Sequence, residues 1–126
     1  MDERSTNYEL VTSQIVLAEA QRGDPDAASR RLSLLANIPV LDENPDVDTV
    51  ADELVSRSLI PATARLDALH VATAALAGVQ YLLTLNCRHI ANARVLPGVY
   101  RLLDELGLSG LLIATPMEFL GDIDDD

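Results

Sequence analysis

At 126 residues the chain has room for one domain with a real core and too little for two. Hydrophobic residues make up 48% and aromatic residues only 3%, so the core must be built from Leu, Ala, Val and Ile, which suits layered α/β packing better than a β-sandwich. There are 20 acids against 9 bases, every base is Arg, and the net charge of -11 opposes non-specific binding to nucleic acid while favouring cations or a basic protein partner.

The first strand-like run is YELVT (8–12). Ser13 is placed to cap a helix over SQIVLAEAQ, which Gly23 closes. Asp24 and Pro25 open a second helix, DPDAASRRLSLLAN, with Asp as the cap and Pro at the first helical position. IPVL (38–41) reads as a second strand, and NPDVDTVADELVSRSLI as a third helix with acids in its first turns. A fourth helix begins between Pro61 and Asp67 and runs through ARLDALHVATAALAG (64–78), apolar nearly all round and therefore a buried helix. YLLTL (81–85) is the third strand, followed by a short helix NCRHIANA. PGVYRLLDELG forms a longer helix stopped at Gly107, LLIAT (111–115) is the fourth strand, and TPMEFLGD makes a last turn.

Strands alternating with helices predict parallel crossovers and a sheet covered on both faces, a three-layer α/β/α arrangement with a small parallel sheet. The expected organisation is one domain over 1–121 and an acidic tail over 122–126. Four short strands make a small sheet for so many helices, which points to a further segment in front. Cys87 is the single cysteine, so no internal disulfide is available and a reducing compartment fits. No apolar run approaches the roughly 20 residues of a membrane span, and the polar MDERSTNYEL does not read as a signal peptide. A cytoplasmic protein without a membrane segment is expected.

Chemistry concentrates where the strands end. In a right-handed βαβ unit the helix runs against its strands, so its first turn lies at the sheet's carboxyl edge. Asp67 belongs there, and Asn86, directly after YLLTL, emerges at the same edge. Glu19 lies six residues beyond Ser13, so roughly 9 Å along its helix and behind the mouth. Open α/β sheets bind ligands at this edge. Three oxygen-bearing side chains converging there suit Mg²⁺ or Mn²⁺ and argue against zinc.

Each residue also has a plainer reading. Asp67 could cap its helix, accepting from the amides of Leu69 and His70. Glu19 could be an exposed helix residue, flanked by Gln21 and Arg22, and Asn86 an ordinary helix cap. His70 reads as a partly buried helix residue. His89 beside Cys87 lacks the second Cys or the His spacing of a metal site. Arg88 is either a phosphate contact or a surface charge.

The runs IVLAEAQRGDPDAASRRLSLLANIPVL, LDALHVATAALAGVQYLLTLNCRHIANA and IATPMEFLGD, in that order, resemble the PIN domain, most closely the branch that includes VapC-type toxins of toxin–antitoxin pairs. The resemblance covers nearly the whole chain. The stretch from Asp67 to Asn92 is specific, and the GDP turn followed by an AxxRxxLL-like helix adds to it. It implies a Mg²⁺- or Mn²⁺-dependent endoribonuclease with Glu19 and Asp67 as metal-holding acids and Asn86 orienting water or substrate. It further implies an RNA substrate, an antitoxin that places an Arg in the acidic site, and a homodimer formed through helices.

PIN domains open with a strand ending in the first catalytic Asp, then a helical segment, before the strand matched by YELVT. This chain starts after both, so the resemblance implies an N-terminally truncated PIN-like fold. Asp2 and Glu3 do not replace the lost acid, since no strand leads into them. Two acids should hold Mg²⁺ weakly, because carboxylates offset its dehydration cost. The competing expectation is a catalytically inactive PIN-like remnant or partner-binding module. A flavodoxin-like binding domain would need a glycine-rich phosphate loop after a strand, which the sequence lacks.

Overall fold

The computed structural model describes residues 10–83 and 94–114. Among them the chain is mixed α/β, with five α-helices and a two-stranded parallel sheet. It divides into two compact units between Glu43 and Asn44.

In the first unit the two expected strands meet, among the described residues, at one parallel bridge, Thr12 with Val40. Thr12 N–H donates to the Pro39 carbonyl at 2.9 Å, and Leu41 N–H to the Thr12 carbonyl at 2.8 Å. Pro39 has no N–H to extend the ladder, which helps keep the pairing short. Helix α1 (Gln14–Ala20) follows, with Ser13 as its cap: the Ser13 hydroxyl accepts from Val16 N–H at 3.2 Å. Gly23, at φ +83°, makes the left-handed step that ends the α1 segment. The Asp24 carboxylate then accepts from Ala27 N–H at 3.1 Å and starts α2 (Pro25–Leu35), with Pro25 inside its first turn.

Arg31 of α2 reaches back to the end of α1. Its Nε donates to the Ala20 carbonyl at 3.2 Å and its Nη2 to the Arg22 carbonyl at 2.5 Å. The last carbonyls of a helix lack intrahelical donors and carry partial negative charge, so a guanidinium suits that place. Among its described residues the unit nonetheless buries only two hydrophobic side chains, Ala20 and Ala28. Leu34 stays 79% exposed and Leu10 65%.

The second unit holds the hydrophobic core. Helix α3 (Val47–Ser56) buries Val50, Ala51 and Leu54 and half-buries Val47, the i, i+3, i+4, i+7 stripe of an amphipathic helix. It is shorter than the expected span, which ran on through RSLI. Ser58 adopts φ +59°, and Leu59 N–H turns back to the Leu54 carbonyl at 3.0 Å while Ser58 N–H meets Val55 at 2.9 Å. This is a Schellman stop with serine where glycine is usual. Ile60 is thereby delivered into the core with no exposed surface.

Pro61 and a 3₁₀ turn over Ala62–Ala64 lead into α4 (Arg65–Leu76). The buried-helix expectation holds: Ala68, Val71, Ala72, Ala74 and Ala75 are buried and no residue of α4 is exposed. Its alanines let α4 pack closely on α3, the most extensive helix contact in the unit. Arg65 also ties the two helices at the surface, pairing with Asp52 at 2.5 Å and Asp48 at 3.4 Å. Arg57 likewise joins α3 to α5 (Leu96–Glu105), pairing with Glu53 at 3.3 Å and Glu105 at 2.6 Å. Both guanidinium groups are held above the usual arginine range, Arg57 chiefly by its bond to Glu105 and Arg65 by its bond to Asp52.

Helices α4 and α5 end by the same device as α3, now with glycine: Gly78 at φ +73° and Gly107 at φ +77°. Val79 N–H returns to Ala74 at 3.1 Å and Leu108 N–H to Leu103 at 2.7 Å. Strands β1 (Tyr81–Leu83) and β2 (Leu112–Ala114) pair in parallel, Tyr81 opposite Leu112, Leu82 opposite Ile113 and Leu83 opposite Ala114. Leu82 and Ile113 face the core, whereas Tyr81, Leu83 and Leu112 on the other face are exposed. The last residues of the expected strands, the helix NCRHIANA, the turn TPMEFLGD and the acidic tail lie outside the described residues.

Candidate functional site

Glu19 sits in the last turn of α1, the helix that Ser13 caps. It is half-buried, neither fully exposed nor enclosed. With Val16, Ala20, Arg31, Leu34 and Leu35 it lines an open groove of about 350 Å³. The AxxRxxLL pattern gains a physical meaning here. Ala28 is the buried residue of α2, Arg31 binds the end of α1, and Leu34 and Leu35 form the apolar wall beside Glu19. Arg31 is thus the residue that sequence reasoning passed over at this place. Its signal was the i, i+3, i+6, i+7 spacing, which sets all four residues on one side of a helix.

Asp67 is the third residue of α4, and this corrects the cap reading. The cap position belongs to Ala64, which makes no side-chain bond, because the 3₁₀ turn after Pro61 brings the helix start forward to Arg65. Helical spacing sets Asp67 on the same stripe as Val71 and Ala74, four and seven residues on, and both of those are buried. Asp67 itself is half-buried at the mouth of that stripe. A carboxylate in the first turn also meets the positive end of the helix dipole. His70, one turn further, is half-buried, as expected. The connection from α4 to β1 is only residues 77–80, and the two elements touch, so they run in opposite senses. The first turn of α4 therefore lies toward the end at which β1 finishes.

Glu19 stands in the first unit and Asp67 in the second. Asn86, Cys87, Arg88 and His89 lie outside the described residues. Among the described residues no three His, Cys, Asp or Glu side chains gather in a metal-holding group, and no helix is long and apolar enough to cross a membrane. Comparison with protein-family models, curated proteins and solved structures returns no match.

Proposed function

We propose that the chain is a PIN-type, metal-dependent endoribonuclease of three-layer α/β/α architecture, the cytoplasmic toxin of a toxin–antitoxin pair. The observation that carries the reading is Asp67, a half-buried acid over the core-facing stripe of a helix with no exposed residue. Parallel pairing across helical crossovers in both units supports it, as does the half-buried Glu19 beside its groove.

The resemblance assigns a metal-holding role to Glu19 and to Asp67, and carboxylate oxygens fit Mg²⁺ or Mn²⁺. The bound ion would supply an activated water and offset the charge that builds on the scissile phosphate. Asn86, with a neutral amide, would orient water or the RNA. With two carboxylates the chain should hold the ion weakly. The antitoxin partner would bring an Arg to the acidic residues, and a homodimer would form through helices.

The test is cleavage of a structured RNA in Mn²⁺ by this chain and by a form extended upstream in frame. Cleavage that Asp67→Asn abolishes supports the proposal. No cleavage by either form, or cleavage that Asp67→Asn leaves unaltered, overturns it.

A second reading, a PIN-like module that works by binding a partner and catalyses nothing, is favoured by the exposed hydrophobic residues of the first unit, Leu10 and Leu34 above all. The net charge of -11 makes a basic peptide the fitting partner. A Mg²⁺ titration of thermal stability separates the two, because a ligand that binds only the folded chain must raise the melting temperature.

A further inference from the structure

We draw no further inference here: the strongest candidate, the apolar groove between α1 and α2 where Leu34 is 79% exposed beside Val16 and Leu35, carries nothing because nothing in the structure shows what covers it.

Discussion

The hydroxyl of Tyr100 serves both backbone groups of Ile113, accepting from its N–H at 2.9 Å and donating to its carbonyl at 3.4 Å. Leu112 N–H bonds to Gln80 on the β1 side, so the polar groups of Ile113 point to the opposite side of β2. Tyr100 thus occupies the backbone groups on that side of β2 at Ile113 from α5. Tyr100→Phe should cost about 1–2 kcal/mol, since the ring stays and a shielded N–H loses its partner. Urea unfolding measures it, and an unchanged midpoint would mean that water replaces the hydroxyl at no cost.

Ser58 holds a left-handed conformation that a side chain disfavours. Ser58→Gly should stabilise the chain by about 0.5–1 kcal/mol, because the backbone there is already committed to the glycine-friendly region. Gly78→Ala and Gly107→Ala should each destabilise by about 1 kcal/mol or more. Thermal melts of the three variants check both signs together.

Arg31 joins α2 to the end of α1 through two separate carbonyls. Arg31→Met keeps the stem and removes the fork, at a cost of about 1 kcal/mol or less given its exposure. The sharper readout is hydrogen exchange, which should quicken in α1 while the second unit keeps its protection. Arg31→Lys should not restore it, because one ammonium lacks the planar pair of donors.

The packing of α3 on α4 depends on small residues at Ala51, Ala68 and Ala72, each with no exposed surface. Ala72→Leu should destabilise by about 1–3 kcal/mol through overpacking. The surface arginines behave differently. Their raised pKa reflects pairing with ionised carboxylates, so its contribution to the fold is present across neutral pH and is lost as pH climbs from the ordinary arginine value through the raised one. Arg57→Gln should therefore give a small loss of stability that is flat across neutral pH and shrinks with added salt.

Asp67→Asn separates function from fold. Under the proposed function, RNA cleavage should fall by about 100-fold or more, a loss of about 3 kcal/mol in transition-state stabilisation. The unfolding free energy should change little, with the lost charge at the helix start contributing about 0.3–1 kcal/mol. Mg²⁺ should raise the melting temperature of the parent chain and not that of the variant.

Much of this architecture was legible wherever a single residue type has one physical use. Ser13 and Asp24 start helices, Gly78 and Gly107 stop them, and the Leu/Ile pattern of YLL and LIA gives the parallel pair. Local rules failed where a common residue took an uncommon conformation. Nothing in RSLI announces a stop, yet Ser58 turns left-handed because Leu59 and Ile60 gain by turning inward to the core. Asp67 likewise resembled a cap because the 3₁₀ turn after Pro61 has no signature of its own. Of the candidate site, Glu19 could be placed late in its helix by its distance from the Ser13 cap, and Asp67 near the start of α4. Arg31 could not be placed beside Glu19 without knowing how α2 lies against α1.

The return bond at the end of α4 acts on the sheet as well as on the helix. Val79 is pinned to Ala74, so the alternation of side chains along β1 is counted from that anchor, with Leu82 three residues on falling inward. One extra residue between Gly78 and Tyr81 would invert the parity of the strand. It would bring Tyr81 and Leu83 under the helices and push Leu82 out into solvent.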